Sequence, residues 1–281
     1  MKKIVIALAL LVPFTAFGQS FSTGGRASVG VDYKISKGFH IEAREEVRAA
    51  SGFAGLGSTR TSIGLSYKPL SFLKVGVGYV LINPYKINKE LDDDTYYTGF
   101  WAPRHRFMAD VTGTLKAGKF NFSLRERLQF THNADDNLNV YQSTRNALAL
   151  KSRIGVKYKG FKYVDPSLSF EVRAALNDPW GTVSGSAETT NTSKREYYTY
   201  THTGYTHAYI NRLRLNLGAD IVPNKHHTIT PYVLFDYLMD YEIDTNGSSK
   251  WAEDGVRLFT DGTGWQYATN LIFGLKYTFS F

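Results

Sequence analysis

The chain ends in Tyr277-Thr278-Phe279-Ser280-Phe281, aromatics alternating with hydroxyls, and the same period of two recurs in segments all along it. Alternation of this kind puts successive side chains on opposite faces of a strand, so each segment is built to separate an apolar environment from a polar one. Near the start, Ala27, Val29, Val31, Tyr33 and Ile35 alternate with Ser28, Gly30, Asp32 and Lys34. Phe39, Ile41, Ala43 and Val47 then alternate with His40, Glu42, Arg44, Glu46 and Arg48. The pattern returns over 61–67, 73–81, 107–115, 120–130, 148–158, 168–176, 213–221, 229–241 and 267–281, which makes eleven segments.

These strands point to a membrane rather than a soluble core. Aromatics make up 15% of the chain, with 19 Tyr and 18 Phe, while the mean hydropathy is only −0.27. A transmembrane barrel accounts for both, because alternate residues face lipid and the others face a polar interior. Beyond the first residues no apolar run reaches helix-spanning length, so membrane residence has to come from strands that close on themselves. At the N-terminus, Lys2 and Lys3 precede an apolar run from Ile4 to Phe17, and Ala16-Phe17-Gly18 supplies small residues at a cleavage position. Residues 1–18 are therefore expected to be a signal peptide and residues 19–281 the barrel domain. The absence of Cys excludes disulfides and lipoprotein acylation.

Connections alternate in length. Short ones fall at Ser36-Lys37-Gly38, Lys68-Pro69-Leu70-Ser71, Lys116-Ala117-Gly118-Lys119, 160–166 and 222–227; long ones cover 49–58, 83–103, 132–146, 178–207 and 243–264. Short turns are periplasmic and long loops external in outer-membrane barrels, which orients every strand. Tyr33, Tyr67, Tyr158 and Tyr277, each close behind a Gly, end strands running toward the periplasm and form an expected aromatic girdle. A closed antiparallel barrel with both termini inside needs an even strand count. The expected fold is an all-β, closed antiparallel transmembrane barrel of 12 strands, with 10 as the alternative; Gln19 to Gly25 is a candidate for a further upward strand.

Arg60 to Lys68 with Gly76-Val77-Gly78-Tyr79, Ile82-Asn83-Pro84-Tyr85, Pro103-Arg104-His105-Arg106-Phe107 and Tyr198 to His207 resemble a bacterial outer-membrane family catalogued as domain of unknown function 2490. The likeness spans most of the chain after the signal segment. That family has no assigned activity, so the resemblance implies location and fold alone.

Function has to be argued from the lumen. Projecting the alternation inward gives Lys34, Arg44, Arg48, Arg60, Lys74, Arg106, Arg125, Arg127, Lys151, Arg153, Lys157, Arg173, Arg212 and Arg214 against Asp32, Glu42, Glu46, Asp110, Glu171, Asp220, Asp236 and Asp240. Basic groups exceed acidic ones, so an open pore of this kind favours anions such as small acidic solutes or acidic oligosaccharides. The same Arg and carboxylate groups, paired, form a plug instead. The lumen residues carrying either role are Arg44, Arg48, Arg60, Arg106, Arg125, Arg127, Arg153, Arg173, Arg212, Arg214, Asp110, Glu171 and Asp236. Tyr277, Phe279 and Phe281 form the terminal pattern expected to meet the barrel-insertion machinery.

Two other classes compete with a channel. A lipid-modifying enzyme is suggested by Glu45, Glu126, Ser152, Asn211 and His105, which fall by parity on the lipid face, where a carboxylate is costly; a β-bulge that reverses local parity explains the same residues without chemistry. A noncatalytic surface-binding or scaffold barrel is suggested by the loop from Asp178 to His207, with Trp180 and a Tyr-rich stretch. His202, His207, His226 and His227 read as loop or girdle residues, and Asp92 to Asp94 and Asp135-Asp136 as solvated loop acids without calcium-loop spacing. No cofactor, metal or nucleic-acid motif is expected; the expected surroundings are outer-membrane lipids and lipopolysaccharide.

Overall fold

The computed structural model describes residues 20–90, 96–136, 138, 143–183, 185–190, 193–197, 200–202, 204–244, 249–251, 256–259 and 262–281. The expected signal segment, residues 1–18, and Asp92 to Asp94 lie outside them. Along the chain come β1 (Ser20–Ser36), β2 (Phe39–Ala49), β3 (Leu56–Leu70), β4 (Leu73–Glu90), β5 (Tyr96–Trp101), β6 (Arg104–Ala117), β7 (Phe120–Asn133), β8 (Asn146–Tyr158) and β9 (Val164–Asp178). Short strands β10 (Gly181–Val183), β11 (Gly185–Thr190), β12 (Ser193–Tyr197) and β13 (Tyr200–His202) follow. The chain continues through β14 (His207–Asn224), β15 (His227–Asp244), β16 (Ser249–Trp251), β17 (Val256–Phe259) and β18 (Gly262–Ser280).

Twelve strands form one sheet in the order β3-β2-β1-β18-β15-β14-β9-β8-β7-β6-β4-β5, and the pairing of β3 with β4 closes eleven of them into a barrel. The twelfth, β5, pairs with the far end of β4 outside the ring. Each of the eleven alternating segments lies inside one wall strand. Hairpin connections reverse direction at every step, so an odd number of wall strands leaves the first and last running the same way. Closure is accordingly parallel, β1 against β18 from Ser20↔Ala268 to Asp32↔Ser280, while every other wall pair is antiparallel. Residues 20–25 prolong β1 in that seam and add no strand of their own.

The tight turns lie at one end. Gly38 (φ 85°) and Gly118 (φ 57°) occupy the left-handed backbone region there, which a side chain disfavours. Long connections gather at the other end, where β10 pairs with β13 and β11, β12, β16 and β17 make a small separate sheet.

The two faces of the wall invert the arrangement of a soluble protein. Val29, Val77, Ile154, Leu115 and Leu217 stand on the outside, 58–67% exposed, whereas Lys151, Glu171 and Asp236 are buried inside. Aromatic contacts ring the turn end: Phe39 stacks on Tyr67 at 4.2 Å, Phe120 meets Tyr158 at 5.1 Å and Tyr33 meets Phe281 edge-on at 5.9 Å. Among the described residues no helix is long and apolar enough to cross a membrane.

Candidate functional site

Strand register, rather than sequence proximity, assembles the interior charges. Across four adjacent strands the inward positions Arg212, Arg173, Lys151 and Arg127 stand directly opposite one another in turn. One step nearer the turn end the row runs Asp236, Arg214, Glu171, Arg153, Arg125. Like charges directly opposite oppose sheet formation, so a row of four cations is held against its own repulsion.

Carboxylates offset part of that repulsion. Arg125 Nη2 donates to Glu171 Oε2 at 3.0 Å, Arg214 Nη1 donates to Glu171 Oε1 at 3.3 Å, and Lys151 Nζ lies 3.5 Å from the same oxygen. Asp236 receives both Nε and Nη2 of Arg214, at 3.0 and 3.1 Å, and Arg212 Nε lies 3.5 Å from it. Paired forks of this kind are among the stronger polar contacts. Asp110 accepts from Arg127, with Nη2 at 2.8 Å from Oδ2, while Glu42 pairs with Arg44 and Glu46 with Arg48. Among the described residues no carboxylate comes within 4.0 Å of Arg60, Arg106 or Arg153. Arg106 Nε donates to Thr131 Oγ1 at 2.9 Å, and Arg60 Nε is buried without a hydrogen-bond partner among the described residues.

The interior is not filled evenly. On β3 and β4 the inward positions include Ser62, Gly64, Ser66, Gly76 and Gly78, so that stretch of wall projects almost nothing. Strand β14 lies five strands from β3 one way round and five from β4 the other, which sets Arg214 opposite this shallow stretch. Between them lies a cavity of about 460 Å³. Its charged lining is Arg44, Arg48, Arg60, Lys74, Arg106, Arg125, Arg127, Lys151, Arg153 and Arg214, against Glu42, Glu46 and Asp110. Gly78 keeps the floor open: a Cβ there would come within 3.2 Å of Met108 Cε and 3.3 Å of the Ile63 carbonyl oxygen, a tight fit that the neighbours would have to yield to. Elsewhere the interior is occupied: a Cβ at Gly274 would overlap the Tyr232 ring.

A model of the family described as "Protein of unknown function (DUF2490)" matches residues 27–281. The chain belongs to that family. The match takes in the barrel from β1 to Phe281, in keeping with the resemblance carried by Arg60 to Lys68, Gly76 to Tyr79 and Pro103 to Phe107. No curated protein and no solved structure matches the chain.

In this DUF2490 barrel, nine of the thirteen lumen residues expected from alternation line the cavity: Arg44, Arg48, Arg60, Arg106, Asp110, Arg125, Arg127, Arg153 and Arg214. Arg173, Arg212, Glu171 and Asp236 stand beside it on β9, β14 and β15. Lys151 completes the Glu171 cluster. Arg26 is a lumen residue that the first alternating segment, begun at Ala27, leaves out, although Arg26, Ser28, Gly30 and Asp32 continue the inward series. The floor glycines had a signal too: they recur at inward positions of two neighbouring strands.

The outward polar residues of this DUF2490 chain are paired in the wall. Thr61 Oγ1 donates to Glu45 Oε2 and Ser152 Oγ to Glu126 Oε2, each at 2.6 Å and each directly across a strand pair. Tyr79 Oη lies 2.8 Å from His105 Nδ1. Asn211 is the extra residue of a bulge between Ile210 and Arg212 in the register with β9, so simple parity does not hold there. At the long-connection end, Trp180, His207, Tyr209, Tyr241 and Trp265 cluster with centroids 4.4 to 6.5 Å apart. Asp135 is buried and pairs with Lys86, unlike a solvated loop acid. Among the described residues no group of His and carboxylates is placed to hold a metal. At the C-terminus, Tyr277 and Phe279 point outward, and Phe281 N donates to the Asp32 carbonyl at 3.0 Å, tying the last residue to the seam.

Proposed function

We propose that this protein resides in the bacterial outer membrane as a narrow, anion-preferring barrel whose lumen admits small acidic solutes or acidic oligosaccharides. Membrane residence is supported by the inverted faces, exposed Val, Leu and Ile outside and buried ions within. The observation that carries the functional reading is the imbalance of the cavity lining, where Arg and Lys outnumber carboxylates. Charges in a low-dielectric enclosure raise the local concentration of counter-ions, so anions partition into such a space ahead of cations. Purified protein reconstituted in a planar bilayer under a KCl gradient tests this: a reversal potential of the chloride sign is expected. A cation-sign potential contradicts the proposal, and a closed bilayer returns these residues to a structural plug.

A second reading, a noncatalytic surface-binding barrel, draws on one observation, the five-membered aromatic cluster at the long-connection end. An enzymatic role has less support, because the outward carboxylates face hydroxyls across the strands without a histidine in hydrogen-bonding reach among the described residues.

A further inference from the structure

The cavity holds more cation than its own carboxylates can match. Glu42, Glu46 and Asp110, the acids in its lining, are each taken by a neighbouring Arg, and Arg125, Lys151 and Arg214 share Glu171. Arg60, Lys74, Arg106 and Arg153 line the cavity with no carboxylate within 4.0 Å among the described residues. Arg153 lies directly across the strand pair from Glu171 and Lys74 sits toward the turn end opposite Thr112, which leaves Arg60 and Arg106 as the unmatched pair on neighbouring stretches of wall. Arg60 Nε, buried and without a hydrogen-bond partner among the described residues, is a donor in need of an acceptor, and a buried donor left bare is costly. Repulsion among neighbouring guanidinium groups adds to that cost. Among the described residues no carboxylate within 4.0 Å offsets it at Arg60 or Arg106, and Arg106 Nε has only the Thr131 hydroxyl. The floor offers Ser62, Gly64 and Gly78 rather than side chains that would fill the space.

We infer that this chamber is a specific binding site for a compact polyanion, a small molecule carrying two or three negative charges on at least two phosphoryl or carboxylate groups, held by Arg60 and Arg106. The inference rests on the assignment of the lumen as the functional compartment and narrows it from any anion to a multivalent one. Three lines set the ligand class. The two unmatched guanidinium groups, Arg60 and Arg106, set a charge of at least two. Planar forks favour phosphoryl and carboxylate oxygens, which they contact two at a time, over spherical halides. The volume of about 460 Å³ falls within the range of small-molecule pockets. A free solute and the phosphorylated head of a membrane lipid share this chemistry.

The test uses the full mature chain in detergent micelles and in vesicles of neutral phospholipid. Thermal unfolding and calorimetric titration are followed with citrate, pyrophosphate, orthophosphate and chloride at matched ionic strength. Citrate or pyrophosphate should bind at least tenfold more tightly than orthophosphate and should raise the unfolding temperature, while chloride should not. Arg60→Gln and Arg106→Gln should each weaken citrate or pyrophosphate binding roughly tenfold, the scale of one charge-assisted contact. Both variants should unfold at or above the wild-type temperature without ligand, since each removes an unmatched cation; this separates loss of binding from loss of fold. Lys37→Gln, at a hairpin turn, should leave binding unchanged. Adding lipopolysaccharide distinguishes the sources: competition with citrate points to a lipid head group, and its absence to a free solute. Equal responses to all four anions, or citrate and pyrophosphate binding that survives both Arg variants, overturn the inference. Anion-selective conductance without such binding would leave the conduit standing and remove the site, whereas binding in a non-conducting barrel would do the reverse.

Discussion

Glu171 shows what a single position contributes inside this wall. One carboxylate meets Arg125, Arg214 and Lys151 from three other strands, so it cancels repulsion among them that Asp236 relieves only at Arg214. Removing one member of a buried ionic cluster leaves the rest uncompensated, a loss of about 3–5 kcal/mol. Glu171→Gln is therefore expected to lower stability by about 3 kcal/mol or more in urea titrations of the vesicle-reconstituted protein. A change below about 0.5 kcal/mol would mean that the cluster is solvated and weak. At this scale the sequence was legible as to facing: Arg44, Arg125, Arg214 and their companions lie inside because apolar neighbours alternate with them. Partners were not legible, because pairing depends on register between strands distant in sequence. Asn211 fails the parity rule for a local reason, the bulge between Ile210 and Arg212.

Elements carry two further expectations. Glu126 faces outward and is hydrogen-bonded by Ser152 from β8. On the proposed lipid-facing wall a carboxylate costs less than the ~2–4 kcal/mol of a basic residue at mid-depth, but still costs. Glu126→Leu alone strands the Ser152 hydroxyl, so the double variant Glu126→Leu/Ser152→Ala should be the more stable of the two and should exceed wild type by about 1 kcal/mol in the same titration. Destabilisation of the double variant, with altered self-association on sizing, would place the pair at a protein interface instead. The last strand has a different burden. β18 holds both β15 and the parallel seam with β1, and Phe281 ties into that seam through the Asp32 carbonyl. Deleting Phe281 should reduce yield in the outer-membrane fraction, and deleting β18 should abolish heat-modifiable gel mobility; normal mobility without β18 would contradict the barrel. Elements were the most legible level, since all eleven alternating segments became wall strands. Eleven segments with the first and last running the same way are legible in the sequence; the parallel seam that reconciles them is not, because antiparallel closure with an even count is the usual pattern.

For the whole molecule, the uneven interior matters most. Small inward residues on β3 and β4 leave space opposite β14, and cations from β2, β6, β7, β8 and β14 line it. An evenly filled interior would make the same charges a plug. The excess of basic residues could be read from alternation, but the offset cavity could not, since it depends on which strands become neighbours and which lie across the ring. The most direct test of the account is the reversal potential of single barrels in a KCl gradient, wild type against a variant with Arg125, Arg127, Arg212 and Arg214 made neutral. Wild type is predicted to prefer chloride strongly at low salt and less so near 1 M, where screening shortens to ~3 Å, and the variant to lose most of that preference. Cation preference in the wild type, or a chloride preference untouched by the four substitutions, would contradict it.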